Sequence, residues 1–125
     1  MAPTPAITHD PLDPLEWTNE LDALIAAPQH HLLLLENDSV RVLDTSIPPG
    51  HTVPLHTHCW PQTLYLMSWS DFVRRDVNGK VLMDSRTAPK PSEGSAFWSP
   101  PLPPHSLENV GGSILRLICV ELKNQ

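Results

Sequence analysis

Proline recurs along the chain from position 3 to position 104, and this feature most constrains the fold. The 125 residues contain 15 prolines, four of them within 100–104. Because proline is excluded from helix interiors and central strands, this spacing indicates many short extended elements joined by turns. With 40% hydrophobic and 18% charged residues, the composition is that of a globular domain. Together these features predict an all-β fold.

One segment near the start is expected to be helical. Asp13 is a helix-capping residue type, Pro14 follows at the position that proline prefers, and apolar residues then recur at helical spacing. This pattern predicts one short helix over about 14–27. We therefore divide the chain into an N-terminal arm with this helix, 1–30, and a β-barrel domain, 31–125.

The rest of the chain has the pattern of short strands. Turn residues separate extended segments every 8 to 12 residues or so, and Asn78-Gly79 is a strong hairpin signal. Strands are predicted at 32–35, 40–47, 52–58, 63–68, 71–77, 80–84, 95–98, 105–109 and 114–122. This pattern predicts a sandwich or jelly-roll barrel. The last strand is apolar on both faces, which suits a central strand or one covered by a second subunit.

Charge and cysteine content indicate which binding partners and which cellular compartment to expect. The net charge is −6 and no basic cluster occurs, so neither nucleic acid nor an anionic membrane is an expected partner. The sequence has no apolar run of membrane-spanning length and no visible signal peptide. Cys59 and Cys119 are too few for a disulfide framework, and we expect free thiols in a cytoplasmic protein.

Histidine spacing supplies the first indication of chemistry. His56 and His58 lie two apart on a predicted strand, so both imidazoles face the same side. Gln62 could reach that side from the next strand, and His105 begins a later one. Three converging imidazoles suit a borderline divalent metal ion. The alternative is that these are ordinary strand residues bonded to backbone or water.

The spacing around these histidines resembles the first sequence motif of the cupins. That motif has a glycine, five residues, His-x-His, three or four residues, a glutamate, six residues and a second glycine. This chain has Gly50, His56 and His58 at those positions. It has Gln62 where the glutamate is expected and Trp69 where the second glycine is expected.

The second cupin motif is also recognisable. Gly94, Pro100, His105 and Asn109 occupy four of its positions at the expected spacing, and Leu102 stands in place of a glycine. The prolines around Leu102 predict a stiff, extended approach to His105 instead of a tight turn. The resemblance covers about 32–122 and implies a small, single-domain, RmlC-like cupin with a jelly-roll barrel.

The resemblance also implies a metal site and a function. By analogy with the family, His56, His58 and His105 would bind one divalent ion, with Gln62 in the fourth position and iron, zinc, nickel or manganese as the metal. A glutamine lacks the carboxylate charge of the usual ligand. The leading expectation is a metal-dependent, dioxygenase-like enzyme that acts on a small organic substrate. Such barrels often dimerise, so we expect a homodimer.

Two other functions stay open at this point. The missing glutamate favours a non-catalytic module that binds or senses a small molecule. A metal-free isomerase or epimerase would need a histidine–carboxylate pair, and Glu108 lies on the wrong face of its strand to serve His105.

Some polar residues have a simpler interpretation. His30 and His31 follow the predicted helix, where a cation meets the negative end of the helix dipole. Arg41, Arg75 and Arg116 are scattered along the chain, and we expect them to be solvated.

Overall fold

The computed structural model describes residues 13–123, so the predicted arm over 1–12 lies outside the described residues. Within 13–123, the all-β prediction is confirmed. The elements are α1 (Ala23–Ala26), β1 (His31–Glu36), β2 (Val40–Ile47), β3 (Thr52–His58), β4 (Gln62–Ser68), β5 (Phe72–Arg75), β6 (Val81–Asp84), β7 (Ala96–Ser99), β8 (Leu102–Asn109) and β9 (Leu115–Leu122). Short 3₁₀ turns occupy Pro14–Glu16, Asn19–Leu21 and Ser85–Thr87. No helix in this described range has the length and apolar character needed to cross a membrane.

The strands form two antiparallel sheets. One has five strands in the order β1-β2-β9-β4-β7, and the other has four in the order β3-β8-β5-β6. Strand β9 pairs with β2 on one side and β4 on the other, so the strand that is apolar on both faces is central, as expected.

The predicted helix over 14–27 is wrong in extent. The segment forms two 3₁₀ turns and the single helical turn α1. Thr18 and Asp22 interrupt it, because both have extended ψ angles, 146° and 142°. Asp22 forms a β-bridge with Thr57 and an ion pair with Arg41. These tertiary contacts outweigh the local preference for a longer helix.

The predicted hairpin is confirmed with a longer loop than Asn78-Gly79 alone. Strands β5 and β6 are antiparallel and leave residues 76–80 as the connection. The Asp76 carboxylate accepts from the backbone N–H groups of Asn78 and Lys80, both at 2.9 Å. This side chain stabilises a wider turn than the two-residue signal indicates.

The backbone conformation explains two glycine positions of the cupin motifs and the chain path before His105. Gly50 and Gly94 have φ angles of 79° and 84°, a region that favours glycine. Strand β8 begins at Leu102 and runs through Pro103 and Pro104, so the expected extended approach to His105 is confirmed.

The space between the sheets holds an apolar core and a group of buried polar side chains. The buried apolar residues are Ala23, Ala27, Leu43, Ile47, Val53, Leu66, Val73, Leu115 and Cys119. The buried polar residues include His31, Arg41, His56, His58, Gln62, His105, Asn109 and Glu121. Buried polar groups need partners, and the partners of this group define the site.

Candidate metal and substrate site

Strand pairing brings together the three histidines that the motifs single out. In the β3–β8 pair, His56 lies directly opposite His105, although 48 residues separate them in the sequence. The His56 ring centroid lies 4.3 Å from that of His105 and 5.0 Å from that of His58. The centroids of His58 and His105 are 5.9 Å apart. All three side chains line one cavity.

Gln62 enters the same cavity from the other sheet. It begins β4, is 1% exposed and lies opposite Glu121 of β9 in register. Among the described residues, nothing hydrogen-bonds to its Oε1 atom. A buried amide oxygen without a partner is costly, so this atom is suited to a ligand in the cavity.

His31 is a member of the cluster that the sequence did not predict. It lies at the start of β1, opposite Thr45, and its ring centroid is 4.9 Å from that of His56. One ring nitrogen from each of His31, His56 and His58 lies within 4.8 Å of the others. Its assignment to a helix end was wrong, because β1 begins at His31 and pairing with β2 turns the side chain inward.

The four imidazoles have the same hydrogen-bonding arrangement. In each ring, Nδ1 donates to an oxygen that can only accept, which fixes the tautomer and leaves the Nε2 lone pair available. The acceptors are Ala27 O for His31 at 2.9 Å, Pro54 O for His56 at 2.8 Å, Glu121 Oε2 for His58 at 2.8 Å and Pro103 O for His105 at 2.7 Å. Metal-binding histidines in proteins are oriented by contacts of this kind.

Burial keeps three of these imidazoles neutral. Desolvation lowers the pKa of His31 to about 4 and that of His105 to about 3. It also lowers the pKa of His56, and the neighbouring imidazoles add to the effect. At neutral pH these rings are in the uncharged form that binds metal ions.

A buried carboxylate accepts a hydrogen bond from the His58 ring. Glu121 is fully buried and accepts from His58 Nδ1 and from Arg41 Nε. Burial alone would raise the pKa of Glu121, but the hydrogen bonds from His58 and Arg41 outweigh burial and lower it. The sequence motifs supplied no acid for a histidine–carboxylate pair, and the structure supplies one from outside them, Glu121 of β9.

Arg41 extends this network to Asp22, which lies in the N-terminal segment, the described residues 13–30 before β1. Its two terminal nitrogens donate to the two carboxylate oxygens of Asp22, each at 2.9 Å. The residue is 5% exposed, so the expectation of a solvated arginine was wrong. Two carboxylates, one guanidinium and His58 thus form one continuous hydrogen-bonded network that is buried except at Asp22.

The other predicted residues lie outside this network. Arg75 and Arg116 form ion pairs at the surface, with Glu108 at 2.9 Å and Asp44 at 2.7 Å. Both cysteines are free, and burial raises the pKa of each thiol, to about 12 for Cys119.

The cavity itself is large and mostly apolar. Its volume is about 600 Å³, which is the size of a small-molecule site. The apolar wall includes Val53, Leu64, Trp69, Phe72, Phe97 and Leu117. The histidine cluster and Gln62 are its polar part, and Arg74 lines it from β5.

The donor set fits a divalent metal ion. Nitrogen donors with fixed tautomers, a buried amide oxygen without a partner and an acidic group behind one ring are the components of such a site. The neutral imidazoles and the amide suit a borderline ion such as Fe²⁺, Zn²⁺ or Ni²⁺ better than Mg²⁺ or Ca²⁺.

Comparisons with known proteins agree with the motif evidence. No protein-family model matches the chain, and no curated protein matches it. Among solved structures, a cupin domain from Bordetella pertussis Tohama I superposes with a TM-score of 0.61 at 18% identity, over 74% of this chain and 91% of that one. An uncharacterised double-stranded β-helix protein from Klebsiella pneumoniae has a TM-score of 0.53 at 20% identity, over 74% of each chain.

A third structure extends the likeness to an archaeal protein. An RmlC-like cupin from Methanocaldococcus jannaschii has a TM-score of 0.52 at 15% identity, over 74% of this chain and 79% of that one. At such identities the likeness concerns the fold. The chain has the double-stranded β-helix fold of the cupins.

Proposed function

We propose that the barrel binds one divalent metal ion through His56, His58 and His105, and that the metal-loaded cavity is the active site of an enzyme acting on a small organic molecule. One observation carries the proposal. The imidazoles at the cavity wall all donate through Nδ1 to the protein, so each has an Nε2 lone pair to offer to a metal ion. Among the described residues, nothing hydrogen-bonds to Nε2 of these three rings, so each keeps one donor nitrogen available at the cavity wall.

Two further side chains complete the proposed donor set. Gln62 takes the fourth position through its unpartnered Oε1, and His31 adds an imidazole from the other sheet. Both are neutral donors, so the ligands in direct contact with a bound divalent ion would not offset its positive charge. This charge would strengthen the attraction for an anionic or polarisable substrate atom.

The protein's own residues would have distinct roles in the reaction. The histidines would fix the ion, Glu121 would orient His58, and the apolar wall would bind the substrate and exclude water. When bound, the metal ion supplies Lewis-acid polarisation, and iron would add dioxygen chemistry. We therefore propose a metal-dependent oxidoreductase of the dioxygenase kind as the finer assignment.

A metal-free isomerase or epimerase is a second candidate. The contact between His58 and Glu121 supplies the histidine–carboxylate pair that such an enzyme needs, and His58 lines the cavity. In that reaction, His58 Nε2 would take a proton from the substrate, and Glu121 would stabilise the resulting imidazolium.

A non-catalytic binding module is the third candidate. Gln62 supports it, because an amide at this position cannot act as a general base.

Turnover with and without a chelator separates these functions. Purified protein loaded with Fe²⁺ is incubated with a library of small aryl and alkyl compounds, while oxygen uptake and product formation are followed. The proposal expects turnover that a chelator abolishes and that His56→Ala also abolishes, whereas Arg116→Ala retains it. Turnover that persists in chelator would instead identify the isomerase. Ligand-induced thermal stabilisation without turnover would identify the binding module.

The proposal includes a homodimer and a cytoplasmic location. Val42, Ile118 and Val120 lie on the outer side of the five-stranded sheet and support the dimer, and the two free thiols agree with a reducing compartment.

A further inference from the structure

Arg74 places a positive charge in the wall of the cavity. It lies on β5, where Phe72 and Arg74 line the cavity while Val73 is buried behind it. Among the described residues that line this cavity, no aspartate or glutamate is present, and Arg74 is the one lysine or arginine. The guanidinium therefore stands among apolar groups and neutral imidazoles.

This guanidinium has no partner within 13–123. No hydrogen bond or ion pair joins it to another described residue, although it is half-buried. The acids on nearby strands already have cations. Glu108 pairs with Arg75, and Asp84 pairs with Arg86, both at 2.9 Å. Arg74 is thus free to bind a group that enters the cavity.

Leaving this charge unpaired is costly for the folded protein. A half-buried cation without a counter-ion loses hydration and gains no compensating contact. Burial lowers the pKa of Arg74, which reflects the same penalty. In the β5–β8 pair, Arg74 lies opposite Leu107, which is two residues from His105 and lines the same cavity. An anion bound at Arg74 would therefore lie beside the histidine cluster.

We propose that Arg74 is a specificity-determining residue that binds the carboxylate of a substrate whose remaining part is apolar. A guanidinium offers two parallel N–H donors that match the two oxygens of a carboxylate. In the metal-free cavity, a single guanidinium balances one negative charge, which favours a monocarboxylate over a phosphate dianion. The apolar wall then holds the rest of the ligand. The inference rests on the proposed function only in placing the ligand in the same cavity.

Calorimetric titration with matched probes tests the proposal. The probes are hexanoate, octanoate and 3-phenylpropanoate, each paired with its neutral amide, together with hexyl phosphate. Full-length protein is titrated as purified and again after treatment with a chelator. The variants are Arg74→Met, Arg74→Lys and, as a matched control, Arg75→Met, which removes the neighbouring arginine of β5 that pairs with Glu108.

The expected pattern is specific to Arg74. At least one carboxylate binds the wild type about tenfold or more tightly than its amide, with or without the chelator. Arg74→Met removes this preference, Arg74→Lys keeps part of it, and Arg75→Met keeps all of it. Metal content and melting temperature of Arg74→Met stay near those of the wild type, which shows that the variant is folded and that its metal site is unaffected.

Other results would overturn the inference. They are equal affinity for every carboxylate and its amide, no binding of any probe, tighter binding of hexyl phosphate than of hexanoate after chelator treatment, or an unchanged preference in Arg74→Met. Loss of the preference in chelator alone would also overturn it, because the metal ion rather than Arg74 would then bind the carboxylate. Absence of metal from all samples would contradict the proposed function but would leave the Arg74 comparison intact.

Discussion

At the scale of single residues, this site differs from the cupin motif in the position of its negative charge. The motif position that usually holds a glutamate has Gln62, yet Glu121 lies directly opposite it in the β4–β9 register. Its carboxylate reaches His58 instead of the cavity. The negative charge therefore lies behind the His58 ring, where the carboxylate accepts from Nδ1 and orients the ring as a ligand.

This placement predicts the effect of Glu121→Gln. The substitution keeps the size of the side chain and an acceptor for His58, but it removes the charge behind the ring. We expect the affinity for Zn²⁺ or Co²⁺ to fall about 10- to 100-fold. Competition titration with a chromophoric chelator measures the affinity, and the visible spectrum of bound Co²⁺ reports the ligand field.

Glu108→Gln is the matched control, since Glu108 pairs with Arg75 away from the histidines. Its metal affinity is expected to equal that of the wild type. If Glu121→Gln also bound Zn²⁺ and Co²⁺ like the wild type while remaining folded, the charge behind His58 would have no part in metal binding.

At the scale of elements, Asp22 fastens the N-terminal segment to the barrel. Its carboxylate accepts from the backbone N–H of Leu24 at 3.1 Å and from both terminal nitrogens of Arg41. Its backbone bridges to Thr57, which lies between the two histidines of β3. The segment that contains α1 is therefore tied to the strand that holds the site.

Asp22→Ala is expected to loosen this segment. It removes the cap of α1 and one of the two carboxylates that bind Arg41, which should lower the free energy of unfolding by about 2 kcal/mol. Urea unfolding measures the loss, and hydrogen exchange should show reduced protection of the α1 amides.

Asp13→Ala is the control for this prediction, because Asp13 caps only an exposed 3₁₀ turn. Its expected cost is about 0.5 kcal/mol or less. Equal losses in the two variants would mean that Asp22 acts as a local cap and does not join the segment to the barrel.

The sequence predicted where the strands lie better than it predicted which strands pair and which side chains they bring into contact. Proline and turn residues mark strand ends locally, and period-2 alternation places His56 and His58 on one face. The cavity position of His31 depends on how β1 pairs with β2, and the contact of Glu121 depends on how β9 crosses the barrel. The position of His31 and the contact of Glu121 both arise from pairing between distant segments, so no local sequence pattern could predict them.

At the scale of the whole molecule, the outer face of the five-stranded sheet carries a group of apolar side chains. We define this face by Val42, Tyr65, Met67, Ile118 and Val120, which alternate with the inward-facing residues of β2, β4 and β9. Tyr65 and Met67 are 44% and 41% exposed. Exposed apolar side chains that adjoin one another on a protein surface are typical of an interface.

The charges on this face suit a second copy of the chain. Asp44 and Arg116 form an ion pair there, so one copy presents both an acid and a base. A two-fold interface brings the same patch of each subunit together, and such a patch can then pair its acid with the base of the other copy.

The homodimer proposal therefore makes a prediction about the Val42→Lys, Val120→Lys double variant. These valines lie opposite each other in the β2–β9 pair, and two charges on each copy should prevent association. Light scattering after size-exclusion chromatography should give a dimer for the wild type and a monomer for the variant. Val77→Lys and Val81→Lys on the exposed hairpin should leave the dimer intact, whereas a monomeric wild type would contradict the proposal.

The central claim is that the histidine cluster holds a metal ion, and metal content tests it most directly. Inductively coupled plasma mass spectrometry is applied to untagged wild-type protein, to the His56→Ala, His105→Ala double variant, and to a His30→Ala, His51→Ala control whose imidazoles pair with each other. We expect about one equivalent of metal in the wild type and the control and none in the His56–His105 variant. A wild type that contains no metal and takes up none from added iron, zinc, nickel or manganese would contradict the account.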